Sequence, residues 1–207
     1  MTNRWLNVPL EEYEGHMNSE EVQQLGVLSE LFAEAVAFCR PRSLAVLGVA
    51  GGNGFEHIDS KVTKRVVGLD VNLSYLDAVS RRYSSACGLE LHCVDLAEQV
   101  LELEPVQLVH AALVFEHAGV GRCLDNALSL VARGGTLSAV LQLPSEIEQG
   151  VSATPFASIQ NLKSHFSFVD LTCLRETLEK RGFRLVRETR RSLPAGKAFW
   201  MGVFEGE

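Results

Sequence analysis

Carboxylates end two short segments of this chain, and glycines end a third. Leu44–Gly54 reads LAVLGVAGGNG, Val66–Asp70 reads VVGLD, and Asp95 follows the short run Glu90–Val94. A carboxylate can accept two hydrogen bonds from a ribose diol or one from the amine of a purine base. A turn without bulky side chains lets a ligand approach the backbone. The pattern predicts a half-site for an adenosine-bearing cofactor, with Asp70 at the ribose and Asp95 at the exocyclic amine.

The segments around these residues alternate between strand and helix patterns. Seven runs predict strands: Leu44–Val49, Val66–Asp70, Glu90–Val94, Val106–Val114, Thr136–Leu143, Phe183–Thr189 and Ala198–Phe204. Helical spacing of apolar residues predicts Ser19–Cys39, Leu73–Ser84, Val120–Val131 and Asp170–Arg181, with a short helix within Gly54–Ser60. The alternation predicts an α/β fold with a doubly wound, mostly parallel sheet. The last two strands have no helix between them, which predicts an antiparallel C-terminal strand.

Composition places the chain among ordinary globular proteins. Its 207 residues, 46% apolar and 22% charged, fit a single domain. We expect residues 1–40 to form an N-terminal lid or helix, residues 41–144 the cofactor-binding half, and residues 145–207 a substrate loop with the last strands. The net charge of −7 argues against non-specific binding to nucleic acid or to an anionic membrane. The five cysteines lack metal-ligand spacing, so we expect buried thiols in a cytoplasmic protein and no metal site.

The chain resembles the class I S-adenosylmethionine-dependent methyltransferases over about residues 44–143. VLGVAGGNG resembles the family's glycine signature, VVGLDVNLSYLDAVSRRY its second motif and CVDLAE its third. LVHAALVFEHAG and LSLVARGGTLSAVLQLP resemble the fourth and fifth. The resemblance implies S-adenosyl-L-methionine as the cofactor and a Rossmann-like seven-stranded sheet whose last strand is antiparallel.

The same resemblance implies which residues contact the cofactor. They are Gly52 and Gly54 at the methionine side, Asp70 at the ribose, and Asp95 and Leu96 at the adenine. Val71 is expected to enclose the adenine from the other side, and the turn residues Gly48, Ala50 and Asn53 to line the site. Gly48 stands where the family has an acid, and Ala50 where it has a glycine. In the family, that acid organises the loop and the ammonium end of the cofactor. The sequence therefore leaves open whether this chain binds the cofactor tightly.

Two regions offer residues for the acceptor side. Ala112 would line the floor near the methyl group, and the letters FEH after the fourth strand resemble those of methyltransferases in small-molecule pathways. His117 is then either a general base or a packing residue that holds the loop. Tyr13 and His16 precede the first predicted helix, and either face the methyl donor under a lid or form a surface turn. The irregular segment Ser145–Phe168 is a further candidate for a binding loop.

We favour methyl transfer to a small molecule over four alternatives. No Asn-Pro-Pro-Tyr or Asp-Pro-Pro-Tyr tetrad follows the fourth strand, which disfavours amino-group methylation of DNA bases or glutamine. A dehydrogenase would have its glycines spaced G-x-G-x-x-G, and the third-strand Asp95 favours the methyltransferase. Two alternatives stay open: a protein methyltransferase, and a non-catalytic cofactor-binding or interaction protein on the same fold. A homodimer is also possible.

Overall fold

Seven strands form one sheet in the computed structural model, which describes residues 3–84, 88–145, 150–193 and 196–207. The strands are β1 (Ser43–Leu47), β2 (Arg65–Asp70), β3 (Leu89–Cys93), β4 (Val106–Ala112), β5 (Val131–Gln142), β6 (Phe183–Ser192) and β7 (Ala198–Gly206). Their order across the sheet is β3-β2-β1-β4-β5-β7-β6. β1 to β5 are parallel, and β7 is antiparallel to both of its neighbours. The predicted sheet is confirmed.

Helices cover both faces of this sheet. They are α1 (Leu10–Met17), α2 (Gln24–Cys39), α3 (Leu73–Arg82), α4 (Phe115–Ala118), α5 (Arg122–Ser129), α6 (Ala157–Gln160) and α7 (Leu171–Lys180). Because side chains alternate along a strand, Leu44 and Val46 pack against α2 and α3, whereas Ala45 and Leu47 pack against α5 and α7. This is the predicted doubly wound arrangement. Within the described ranges, no helix has the length and apolar character needed to cross a bilayer.

Polar side chains fix where two of the helices begin. Asn72 accepts a hydrogen bond from the Ser74 N–H at the start of α3 (3.0 Å), and Asp170 accepts one from the Cys173 N–H in α7 (2.9 Å). Asn72 lies two residues after Asp70. The cap of α3 therefore also fixes the loop that leaves β2.

The helix predicted over Ser19–Cys39 begins later, at Gln24. The Ser19 carbonyl accepts hydrogen bonds from the N–H groups of Val22 and Gln23, at 3.0 and 2.9 Å, and so closes a turn. Gln23 then adopts a left-handed φ of +46°. The periodic apolar spacing extends through this turn, which is why the sequence suggested a longer helix.

An additional helix precedes the first predicted one. α1 begins after Pro9, whose φ of −62° is fixed by its ring, and two acids stand in its first turn, where the helix dipole favours them. α1 carries Tyr13 and His16. The alternative of a surface turn at these two residues is therefore wrong.

β5 also begins earlier than predicted. The segment Arg133–Gly135, which falls between the predicted helix Val120–Val131 and the predicted strand Thr136–Leu143, lies inside the strand. Val106 and Leu108 of β4 pair with Val131 and Thr136 of β5, so the intervening residues form a bulge. The expected short helix within residues 54–60 is a single 3-10 turn, Phe55–His57.

The described cysteines differ in burial. Cys123 is buried and Cys39 half-buried, whereas Cys93 and Cys173 are exposed. Cys87 lies outside the described residues. The prediction of buried thiols is thus wrong for Cys93, at the end of an edge strand, and for Cys173, in the first turn of α7.

Candidate active site

A cavity of about 310 Å³ opens at the carboxyl ends of the parallel strands. Ten predicted site residues line it: Tyr13, His16, Gly48, Ala50, Asp70, Val71, Asp95, Leu96, Ala112 and His117. Ligand sites typically have volumes of about 300–1,000 Å³, and open α/β sheets bind ligands at this edge. The fold therefore brings residues from five separate segments of the chain to one candidate site.

Backbone donors hold Asp70 at the cavity wall. The N–H groups of Ala50 and Asn72 donate to Oδ2 and Oδ1 of Asp70, each at 2.9 Å. Burial raises the pKa of this carboxyl, and the N–H groups of Asn72, Ala50 and Val71 oppose the rise. A carboxylate has about four acceptor positions. Asp70 can therefore fix the turn after β1 and still accept hydrogen bonds from a ligand.

Asp95 is bonded to the N-terminal segment. Nδ2 of Asn3 donates to Oδ2 of Asp95 at 2.8 Å, and the N–H of Ala97 donates to Oδ1 at 3.0 Å. Val71 and Leu96 line the cavity beside this carboxylate. The N-terminal segment thus lies across the place where an adenine ring is predicted.

The turn after β1 is left-handed at both positions that depart from the family's motif. The φ angles are +64° at Gly48 and +46° at Ala50. A Cβ added to Gly48 would lie 2.8 Å from Cγ2 of Val114, so a side chain at this position has no room. The left-handed conformation costs Ala50 about 1–2 kcal/mol. The hydrogen bond from its N–H to Asp70 offsets that cost.

We expect Gly48→Ala to lower the free energy of unfolding by about 2 kcal/mol, from left-handed strain and from the contact with Val114. Chemical denaturation measures this loss. The double variant Gly48→Ala/Val114→Ala relieves the contact but not the strain, so the effect of Gly48→Ala should be smaller in the Val114→Ala background. Wild-type stability of Gly48→Ala would contradict the geometry of this turn.

The other three predicted turn residues lie outside the cavity lining. A Cβ on Gly52 would lie 2.6 Å from Cε2 of Tyr83, and one on Gly54 would lie 2.9 Å from Cδ1 of Phe32. Nδ2 of Asn53 donates to a carbonyl of α2 at 2.9 Å. Gly52, Asn53 and Gly54 thus pack the turn against α2 and α3. Their contacts with a cofactor stay a prediction.

His117 forms a wall of the cavity between two aromatic rings. Its ring centroid lies 4.9 Å from that of Trp5 and 5.4 Å from that of Phe166, with both pairs edge-on. Burial, with a smaller contribution from His165, lowers the pKa of the imidazole to about 4. Nδ1 is buried and has no hydrogen-bond partner among the described residues. The ring is therefore neutral at physiological pH.

Tyr13 and His16 reach the cavity from α1. Burial, followed by the charge of Asp70, raises the pKa of the Tyr13 hydroxyl, which therefore keeps its proton and cannot act as a base. Burial, followed by the charges of Lys197 and Lys163, lowers the pKa of His16. At neutral pH, α1 thus presents a hydroxyl donor and a neutral imidazole.

Trp5, Gln142 and Lys197 are among the residues that line this cavity and that sequence reasoning missed. Gln142 ends β5, and Lys197 directly precedes β7. Because β7 is antiparallel, it begins at the edge where the parallel strands end, so the predicted hairpin could have indicated Lys197. The end of the predicted strand Thr136–Leu143 could have indicated Gln142. Trp5 lies in a 3-10 turn, Arg4–Asn7, for which the sequence gives no periodic signal.

The strand order, the antiparallel β7 and the cavity over the strand ends define the Rossmann-like methyltransferase fold, as the resemblance implied. The structure of the N-methyltransferase NodS from Bradyrhizobium japonicum WM9 with S-adenosyl-L-homocysteine is similar, with a TM-score of 0.69 and 14% identity, covering 99% of this chain and 98% of that one. Magnesium protoporphyrin IX methyltransferase (ChlM) from Synechocystis PCC 6803 with the same ligand matches with a TM-score of 0.69 and 13% identity, covering 99% and 93%.

The same fold also carries another activity. The [4+2]-cyclase SpnF is similar with a TM-score of 0.66 and 13% identity, covering 89% of this chain and 82% of that one. No family model and no curated protein matches the sequence. At these identities the likeness establishes the fold, and the activity has to be argued from the site.

Proposed function

We propose that the protein transfers a methyl group from S-adenosyl-L-methionine to a small-molecule acceptor. The observation that carries this proposal is the cavity that Asp70 and Asp95 share with Ala112 and His117. Solved methyltransferases of the same fold hold S-adenosyl-L-homocysteine, which supports the cofactor. The acidic net charge and the missing Pro-Pro-Tyr tetrad support a small molecule as the acceptor.

The residues of the cavity fit this cofactor. Asp70 and Asp95 retain acceptor positions for the ribose hydroxyls and the adenine amine. Val71 and Leu96 offer apolar surface for the adenine ring, and the turn after β1 presents backbone groups. When bound, the cofactor supplies a methyl group on a sulfonium. The residues around Ala112 then have to align the acceptor with that methyl group and take up the proton that the acceptor loses.

On the acceptor side, the proposal gives different roles to His117 and Tyr13. His117 takes up the proton of the acceptor, because its ring is neutral at working pH and lines the cavity. Tyr13 keeps its proton and donates a hydrogen bond that positions the acceptor. His16 faces the same space from the next turn of α1.

We expect His117→Phe to lower kcat by about 100-fold, since phenylalanine keeps the ring between Trp5 and Phe166 but removes the proton acceptor. The affinity for S-adenosyl-L-homocysteine should stay within about threefold, as measured by calorimetric titration. If His117→Phe turns over like the wild type while His117→Ala does not, the ring acts by packing alone.

An activity assay tests the function. It measures the formation of S-adenosyl-L-homocysteine from S-adenosyl-L-methionine over a panel of small acceptors, and mass spectrometry identifies the products. A methylated small molecule is the expected result. Binding of the cofactor without transfer to any acceptor would favour a non-catalytic protein or a cyclase-like activity, and methylated protein would identify a protein methyltransferase. A cytoplasmic location and a homodimer stay predictions.

A further inference from the structure

The turn after β1 lacks the acid that the family has there, and the fold leaves no room to restore it. Gly48 stands at that position with a φ of +64°, and an added Cβ would lie 2.8 Å from Cγ2 of Val114. Glu14 of α1 lies near this turn, but both of its carboxylate oxygens accept hydrogen bonds from Arg82, which also donates to the carbonyl of Gly51. Neither position therefore offers a free carboxylate to an ammonium group.

Gln24, the first residue of α2, is a buried polar side chain that lines the cavity. It is 5% exposed, and its side-chain amide has no hydrogen-bond partner in the described part of the chain. Buried amides in folded proteins nearly always have a partner, because leaving one unpaired is costly. A buried, unpaired amide in the wall of a cavity therefore points to a ligand.

The packing of α2 places Gln24 at the predicted methionine end of the cofactor. Nδ2 of Asn53, in the turn after β1, donates to the carbonyl of Leu25 at 2.9 Å. Leu28, one turn further along α2, belongs to the apolar cluster against which Ala112 packs at the end of β4. The first turn of α2 thus lies between the turn after β1 and the end of β4, where the sulfur is predicted.

The start of α2 supplies further hydrogen-bond donors. This helix has 16 residues, and its N-cap residue, Gln23, makes no side-chain hydrogen bond to the first turn. The N–H groups of residues 24–26 have no acceptor among the residues that the structure describes. Unpaired N–H groups and the helix dipole attract an anion. The acids of the preceding turn, Glu20 and Glu21, are exposed, so water and salt screen their charge.

We propose that Gln24 and the first turn of α2 bind the carboxylate at the amino-acid end of S-adenosyl-L-methionine. This inference rests on the proposed function. Nε2 of Gln24 and the helix N–H groups donate to the carboxylate, whereas no acid stands at residue 48 to hold the ammonium. The affinity for the amino-acid end therefore depends on its carboxylate, and the ammonium contributes little.

Calorimetric titration with analogues of S-adenosyl-L-homocysteine tests this division. The decarboxylated analogue keeps the ammonium, and the deaminated analogue keeps the carboxylate. The decarboxylated analogue should bind about 100-fold more weakly than S-adenosyl-L-homocysteine, since hydrogen bonds to a charged group are lost. The deaminated analogue should bind within about threefold of it.

Gln24→Leu should bind S-adenosyl-L-homocysteine about 10-fold more weakly and the decarboxylated analogue as the wild type does. Gln23→Leu, a change of the exposed neighbour, is the matched control and should leave both affinities unchanged. The free energy of unfolding of Gln24→Leu should equal or exceed that of the wild type, because the lost amide has no protein partner. A structural role for Gln24 predicts a loss of stability instead.

Binding of 5′-methylthioadenosine, which lacks the amino-acid end, separates this inference from the proposed function. If neither this nucleoside nor S-adenosyl-L-homocysteine binds the wild type, both fail. If both ligands bind but the deaminated analogue is weaker than the decarboxylated one, only the carboxylate site is wrong. The same holds if Gln24→Leu weakens all of these ligands equally. The comparison of analogues in the wild type needs no variant, so it decides the question even if Gln24→Leu unfolds.

Discussion

Asp70→Asn is expected to weaken the binding of S-adenosyl-L-homocysteine by about 100-fold, since two hydrogen bonds from ribose hydroxyls to a charged group are lost or reduced and each contributes about 1.5–3 kcal/mol. Asparagine keeps the shape of the side chain and one acceptor oxygen for the N–H of Ala50 or Asn72. Calorimetric titration measures the loss. Asp77→Asn, a change of an exposed acid on α3, is the matched control and should leave the affinity unchanged.

A comparison of nucleosides separates a lost ribose contact from a disturbed turn. Wild-type protein should bind adenosine more tightly than 2′,3′-dideoxyadenosine, and Asp70→Asn should discriminate between the two much less. If Asp70→Asn discriminates between them as strongly as the wild type, or still binds S-adenosyl-L-homocysteine with wild-type affinity, the ribose lies elsewhere.

Glu116→Gln is expected to stabilise the protein at alkaline pH. Glu116 is 1% exposed. Its Oε1 accepts a hydrogen bond from the N–H of Gln142 at 2.7 Å, and its Oε2 has no hydrogen-bond partner in the described part of the chain. Burial raises the pKa of this carboxyl from 4.5 to about 7, against the hydrogen bond from Gln142. The folded protein therefore binds this proton more tightly than the unfolded chain does.

The direction of the pH dependence follows from that raised pKa. The contribution of Glu116 to stability is greatest below its ordinary pKa of 4.5, falls as the pH rises towards about 7, and stays low above it. Glutamine carries no charge, so Glu116→Gln should be more stable than the wild type by about 2 kcal/mol near pH 8, and the gain should vanish near pH 4.5.

Chemical denaturation over this pH range measures the gain. Glu102→Gln, a change of an exposed glutamate, serves as the control and should show no such trend. An equal stability of wild type and Glu116→Gln at both ends of the range would mean that the Glu116 carboxylate is solvated or paired.

The sheet and the placement of Asp70 and Asp95 could be predicted from the sequence. Apolar runs separated by helical patterns imply parallel strands, and the carboxyl ends of parallel strands meet at one edge. A carboxylate at the end of such a run therefore has only one region of the fold in which to lie. Two further cavity-lining positions, Ala112 at the end of β4 and His117 just after it, followed from the same rule.

The remaining wall of the cavity could not be read from sequence spacing. Trp5 lies near the beginning of the chain and Lys197 near its end, and only the folded chain brings them to one cavity. The left-handed turn at Gly48 and Ala50 depends on a hydrogen bond to Asp70, twenty residues from Ala50. Ala50 gave no local signal for the left-handed conformation, since non-glycine residues rarely adopt it.

A crystal structure with S-adenosyl-L-homocysteine bound tests most directly whether adenosine lies over the ends of β1, β2 and β3. We expect the ribose hydroxyls at about 2.7 Å from the Asp70 carboxylate, the adenine amine at Asp95 between Val71 and Leu96, and the sulfur near Ala112. S-adenosyl-L-homocysteine bound at another surface, with this cavity closed by Trp5 and Tyr13, would contradict the account. A pyrophosphate-bearing nucleotide that occupies the cavity in place of S-adenosyl-L-homocysteine would contradict it too.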